Sequence, residues 1–337
     1  MKQLVILGGL SMALAACGGN GGGSEGGKLT IYSGREEELV APLIKQFEET
    51  SGVDVEVRYA DSAELAATIA EEGDNTPADV FFAQDPGSLG AVEQEGLLAA
   101  LPSDVLERVQ QRFRDPEGHW VGTSGRVRVI AYNTSELTEN QVPDSVFDLT
   151  DPKWKGKIGF PPTNASFQAF VTAMRLSQGE EKTREWLEGI KANEPKLYEK
   201  NTPVVEAVAA GEIQLGLVNH YYLYLVKEEN PDAAVANHYP SGNDPGALVS
   251  AAGVGILEPT DDEETAREFV EFLLSEQGQR FYVHEAEEAE YPLIDGIDAK
   301  EGLPPLSGIK GPDVELSQLG PELERTLELL NEVGFTT

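Results

Sequence analysis

The chain has one cysteine among 337 residues, at position 17, which excludes an intramolecular disulfide and any thiolate metal site in the body of the protein. It is also poor in positive charge: 25 lysines and arginines stand against 59 aspartates and glutamates, a formal balance of −34. Binding nucleic acid needs a cationic stripe that displaces counterions from phosphates, so that class is excluded, and an anionic membrane surface would be repelled in the same way. The apolar run at residues 4–14 is too short to cross a bilayer, and no second run is long enough. Enzyme signatures are missing as well. There is no Gly-x-Ser-x-Gly elbow, no His-Glu-x-x-His and no calcium loop of EF-hand spacing. Residues 22–28 have the spacing of a P-loop up to Lys28, but Leu29 stands where Ser or Thr is needed, and the segment precedes a strand instead of joining a strand to a helix.

What is present is the composition of a folded globular protein, 40% hydrophobic and 25% charged, with a length that suits two domains. The acidity by itself implies only solubility or adaptation to saline surroundings. Lys2 followed by the apolar run reads as a secretory signal peptide over residues 1–17. Its end, Leu14-Ala15-Ala16-Cys17, resembles the bacterial lipobox, in which Cys17 becomes the lipidated first residue of the mature chain. The expected location is therefore extracytoplasmic, with a lipid as the only membrane attachment. Residues 18–27 are a glycine-rich tether with nothing to bury.

From Lys28 strands and helices alternate. Short apolar or alternating strands are expected over 29–32, 53–57 and 78–82, with helices over 37–50, 62–72 and 88–95 between and after them, which indicates a parallel sheet. A strong strand over 127–133 opens a second α/β unit. Its helices are expected over 180–191, over 202–210 and from Asn164 with Phe167, Phe170, Val171 and Met174 inward, and its strand over 213–218. Residues 250–257 are small and apolar, the composition of a strand that crosses back; a helix over 263–274 and a last one over 316–333 follow. The fold class is α/β, bilobal and like a periplasmic binding protein, its two lobes joined by crossing hinge strands. Lobe 1 is 28–126 plus about 252–303, and lobe 2 is 127–251 plus about 304–337. Closure about the hinge is the expected motion.

The most informative stretch is Leu217-Val218-Asn219-His220-Tyr221-Tyr222-Leu223-Tyr224, directly after a strand. Adjacent tyrosines on a strand face opposite ways, but at a strand-to-helix junction both rings can turn toward one cleft, where the helix N-terminus favours phenolates. Two readings stay open on these residues alone. A hard, triply charged cation such as ferric ion favours anionic oxygen, and its uptake would release phenol protons; alternatively, the two rings stack on an organic ligand.

Taken with Ile31-Tyr32-Ser33-Gly34-Arg35, Asp79-Val80-Phe81-Phe82-Ala83-Gln84-Asp85, Ser124-Gly125-Arg126 running to Tyr132-Asn133, and Pro162-Thr163-Asn164-Ala165-Ser166-Phe167, this stretch resembles the ferric-iron-binding proteins of bacterial ABC importers. The resemblance runs across nearly the whole mature chain and is to the tyrosine-rich subclass. It implies Tyr221, Tyr222 and, as a third phenolate, Tyr132 as iron ligands. Family members that use a histidine and a glutamate from the first lobe differ from this chain, which has Glu36 and Gln84 there. The resemblance therefore implies a carbonate or bicarbonate synergistic anion, for which Arg35 and Arg126 offer planar donor forks. Ser33, Gln84, Asn164, Ser166 and Asn219 are expected to support the site, with the Asn164 to Ser166 helix start able to hold an anion. Of the four histidines only His220 lies in a motif, and it reads as structural; Glu36 reads as a solvated first helical turn.

The expected function is a monomeric, lipid-anchored, non-enzymatic binding protein that captures Fe(III) and passes it to an ABC permease. The alternatives are the same fold holding a polyamine, phosphonate or sugar, and a secreted hydrolase, for which no nucleophile with a nearby base is visible.

Overall fold

The computed structural model describes residues 27–284 and 289–336. The segment expected to be a signal peptide, Cys17 and most of the expected tether lie outside the described residues. Among the described residues nine strands occur, in the order β1 (Lys28–Ser33), β2 (Asp54–Tyr59), β3 (Val80–Ala83), β4 (Val121–Asn133), β5 (Ile158–Phe160), β6 (Lys196–Leu197), β7 (Leu215–Asn219), β8 (Val235–His238) and β9 (Val249–Ile256). They are joined along the path β2-β1-β3-β9-β4-β7-β5-β6, with β8 also on β4. β1 is parallel to β2 and β3 because the helices Glu37–Ser51 and Ser62–Glu72 carry the chain back to the same end of the sheet.

β4 decides the architecture. Every one of its thirteen residues is buried, as expected of a strand flanked on both edges and covered on both faces. From Val121 to Val127 it pairs antiparallel with β9; from Arg128 it pairs instead with β7, and from Ile130 with β8 on its other edge. One half of the sheet therefore holds β2, β1, β3, β9 and the start of β4, and the other holds the end of β4 with β5 to β8. β4 and β9 carry the chain between them. The small residues of β9 have a steric reason: a Cβ on Gly253 would lie 2.7 Å from Leu89 Cδ1, so helix Pro86–Gln94 packs directly on the strand.

In the second half, helix Ala165–Gln178 is capped by Asn164, whose side chain accepts the Ser166 N–H, and it buries Phe167, Phe170, Val171 and Met174. The Phe167 ring stacks on Phe160 of β5 with centroids 4.6 Å apart. Thr172 on this helix bonds Thr326 of helix Leu323–Val333 at 2.8 Å, which places the last helix in the second half. No helix of the described residues is long and apolar enough to cross a membrane.

Some boundaries differ from the sequence reading. The last helix is Leu323–Val333 alone, preceded by a single 3-10 turn at Leu316–Leu319. A Cβ on Gly320 would lie 2.0 Å from the Gly87 carbonyl oxygen, so the chain breaks there to let its backbone touch the helix Pro86–Gln94. β4 begins six residues earlier than expected, through Gly122 and Gly125, whose lack of a side chain admits Leu293 and Tyr291 against the strand. Strands β5, β6 and β8 and the helix Glu276–His284 are short and carry no distinct periodicity.

Candidate functional site

The two tyrosines sit where β7 gives way to the helix Tyr222–Glu229. The turn is held from three sides: the His220 N–H donates to Val127 O at 2.9 Å, the Tyr224 N–H to Tyr221 O at 2.8 Å, and Asn237 Nδ2 to His220 O at 2.7 Å. This junction brings the rings to the same side, as the sequence reading expects, with centroids 4.4 Å apart. The Tyr221 hydroxyl donates to that of Tyr222 at 3.2 Å and accepts from Asn219 Nδ2 at 3.4 Å. In octahedral coordination at metal–oxygen distances of about 2 Å, adjacent oxygens lie about 2.8 Å apart, so these two phenols can share one ion after a small adjustment.

Asn219 leads inward to Arg128. The Arg128 side chain donates to Asn219 Oδ1 at 3.3 Å, Ser166 Oγ at 3.2 Å and Leu217 O at 2.8 Å, and its guanidinium stands 5.4 Å from the Phe170 ring centroid. No carboxylate pairs with it among the described residues. Burial lowers its pKa to about 10, while Tyr222 and Tyr221 act in the opposite direction; the buried cation and two phenolates thus favour each other's charged forms. Asn164 and Asn201 complete the group. Asn164 Oδ1 accepts from the Ser166 N–H, from Ser166 Oγ at 2.6 Å and from Asn201 Nδ2 at 3.0 Å, and the buried Asn201 Oδ1 has no partner. One phenol pair, one buried cation and the N-terminal end of the helix Ala165–Gln178 therefore converge near the point where β4 leaves one half of the sheet for the other.

Comparison with known proteins fits this arrangement. The model of the bacterial extracellular solute-binding proteins matches residues 75–307. A protein of Serratia marcescens named Fe(3+)-binding periplasmic protein is 31% identical over 309 residues, which cover 91% of this chain and 90% of that one. The chain belongs to the ferric-iron-binding group of extracellular solute-binding proteins. Iron-bound HitA from Pseudomonas aeruginosa superposes with a TM-score of 0.85 at 35% identity, over 91% of this chain and 99% of that one. A Trichodesmium structure with iron and citrate ligands gives 0.81 at 28% identity, over 92% of this chain and 100% of that one. The architecture is thus the bilobal one of this group of solute-binding proteins.

Within this group's fold, several expected site residues take other places. Arg35 and Arg126 do not stand ready for an anion. Both are buried and hold Glu290, Arg35 through two bonds at 3.2 and 2.9 Å and Arg126 at 2.7 Å. Burial alone would raise the Glu290 carboxyl, but the two guanidiniums outweigh it and hold the group well below the usual carboxylate range. Arg126 keeps one link to the tyrosines, lying 5.8 Å from the Tyr221 ring centroid. Tyr132 is further from them. It pairs with Leu215, four residues along β4 from the Arg128–Asn219 pair, or about 13 Å of strand. It belongs to the buried core, where burial and Glu139 raise its pKa, which opposes a phenolate.

Ser33 Oγ accepts the Arg35 N–H and so supports the arginine turn, not the phenols. Gln84 follows β3 in the other half, its N–H on Ser62 and its Oε1 without a partner. Glu36 is exposed. His220 is fully buried with both nitrogens engaged, Nδ1 accepting from the Val127 N–H and Nε2 bonding to Ala289 O. Burial lowers its pKa to about 4, so it is the neutral spacer between β4 and the Ala289 segment. The residues that sequence reasoning missed are Arg128, Asn201 and Glu290. Arg128 alternates with Arg126 in an otherwise apolar stretch, and nothing in the sequence ranks one above the other; Glu290, at the end of the acidic run 285–290, carries no signal.

Proposed function

We propose that this protein captures Fe(III) between its lobes through the phenolates of Tyr221 and Tyr222 and delivers it to an ABC permease. The observation that carries this reading is the pair of hydroxyls 3.2 Å apart, linked through Asn219 to a buried arginine without a carboxylate. The ion is cargo, and its three charges need compensation. Two phenolates supply two negative charges and a carbonate-type dianion two more, so with Arg128 the total is zero. Arg128, Ser166 and Asn201 are the donors that fit that anion: a planar oxyanion suits a guanidinium fork, and the N–H groups at a helix start favour negative charge. Arg128 thus takes the place that Arg35 and Arg126 have in the sequence reading. The relatives named for ferric iron, and the neighbour holding iron with citrate, support the same cargo and a bound oxyanion. Cys17, as a lipidated residue, would keep the protein at the outer face of the membrane beside the permease.

The test is a titration of the purified protein with ferric citrate in bicarbonate buffer, followed by visible absorption. A phenolate-to-iron band that saturates at one equivalent and is weakened in both Tyr221→Phe and Tyr222→Phe is expected. An absent band, with an organic solute found by thermal-shift screening, would refute the iron reading and make the two rings a stacking platform.

A further inference from the structure

A second group of metal-ligating side chains stands apart from the tyrosines, in the first half of the molecule. Glu93 lies on the helix Pro86–Gln94; Asp115, Glu117 and His119 lie in the turn that leads into β4, which the Asp115 N–H closes by donating to Trp120 O. One carboxylate oxygen each from Glu93 and Glu117 and a ring nitrogen of His119 are all within 4.8 Å of one another. His119 Nδ1 is 3.3 Å from Glu93 Oε1 and 3.4 Å from Asp115 Oδ2. Asp115 is almost wholly buried and also accepts the His119 N–H at 3.0 Å.

The charges do not balance as they stand. Among the described residues no lysine or arginine pairs with Glu93, Asp115 or Glu117, and one imidazole proton cannot serve three carboxylates. Partial burial and then the neighbouring Asp115 raise the pKa of Glu93, against the lowering effect of His119. A cation centred on the group would replace that single proton and could take one oxygen from each carboxylate beside the imidazole nitrogen. The donor set names its class: imidazole nitrogen with carboxylate oxygen suits divalent ions such as Zn2+, whereas Ca2+ takes oxygen alone. Ligand atoms of a tetrahedral zinc site lie about 3.3 to 3.5 Å apart at bond lengths of about 2.0 to 2.2 Å, so donors within 4.8 Å need only side-chain rotation to close on one ion.

We propose that Glu93, Glu117 and His119, with Asp115 beside them, form a binding site for a divalent transition ion of the Zn2+ class, separate from the iron site. Binding there fastens the helix Pro86–Gln94 to the start of the strand that crosses between the lobes. It stabilises the iron-free protein by mass action, because the unfolded chain does not hold these donors together.

The experiment is calorimetric titration of the purified protein with Zn2+, in wild type and in the Tyr221→Phe/Tyr222→Phe double variant, so that the phenols are removed from the outcome. One site is expected in both proteins. Its affinity falls about tenfold or more in His119→Ala and in Glu117→Gln; the exposed Glu117 makes the second variant safe for folding. Co2+ in place of Zn2+ should give visible bands that His119→Ala abolishes, and millimolar Ca2+ should not displace the ion. The proposal is overturned if zinc uptake disappears with the tyrosines, if no saturable site exists, or if neither single variant weakens it. A failed iron titration would leave this zinc result unchanged, so the two readings fail separately.

Discussion

Replacing Tyr222 by Phe should change not only how tightly iron binds but how binding depends on pH. Each phenol that becomes a ligand loses its proton, and its unperturbed pKa is about 10. Below that value every phenolate formed makes the apparent affinity inversely proportional to proton concentration. Two adjacent phenols, 3.2 Å apart, therefore give about a hundredfold rise per pH unit, and one gives about tenfold. The ratio of wild-type to variant affinity should thus rise about tenfold per unit, or about 1.4 kcal/mol, and about a hundredfold from pH 6 to pH 8. Competition against citrate, read by the phenolate-to-iron band, measures it. Protonation of citrate and bicarbonate and hydrolysis of ferric ion are common to both proteins and cancel in the ratio. A ratio that stays flat between pH 6 and pH 8 would mean that Tyr222 never ionises on binding, and the phenolate mechanism would fail with it.

Arg128→Gln should remove most of the dependence of iron affinity on bicarbonate while Tyr221 and Tyr222 still give a coloured complex; equal bicarbonate dependence in wild type and variant would place the anion elsewhere. Glu290→Gln removes the carboxylate that both buried arginines hold and should cost about 3–5 kcal/mol in urea unfolding of the iron-free protein. Because the Glu290 carboxyl is held below its unfolded value, its contribution is present above about pH 4.3 and is lost on further acidification, so the variant should lose less stability than wild type over that range. His220, lowered to about 4 by burial, favours the fold above its unfolded value of about 6.5 and should withdraw about 2 kcal/mol between pH 7 and pH 5; a His220→Asn variant should lack that slope in urea melts. Gly320→Ala should cost about 1–3 kcal/mol, measured in the same way, by forcing the turn Leu316–Leu319 away from the helix Pro86–Gln94.

The sequence by itself determined the local elements and the chemistry of one short stretch. Period-two and helical patterns placed β1 to β3 and the helices between them, since half-buried strands and amphipathic helices show their buried face in the order of their residues. Two tyrosines directly after a strand indicated a junction that could aim both rings one way, and the structure has that junction between Asn219 and Tyr222. The family, too, was legible there, because its motifs are local strings.

Tertiary structure alone decided which charged groups reach one another. Arg35, Arg126 and Arg128 look equivalent in sequence, each a guanidinium near a strand. The first two share the Glu290 carboxylate, which lies 164 residues beyond Arg126, and the third has no carboxylate among the described residues. Tyr132 and Arg128 share a face of β4 by their spacing, but only the register with β7 shows that one stands beside Asn219 and the other four pairs away. Long-range pairing carries no local pattern, because it depends on where the chain returns: charge compensation and distance to the phenols were fixed when β4 changed partners at Arg128.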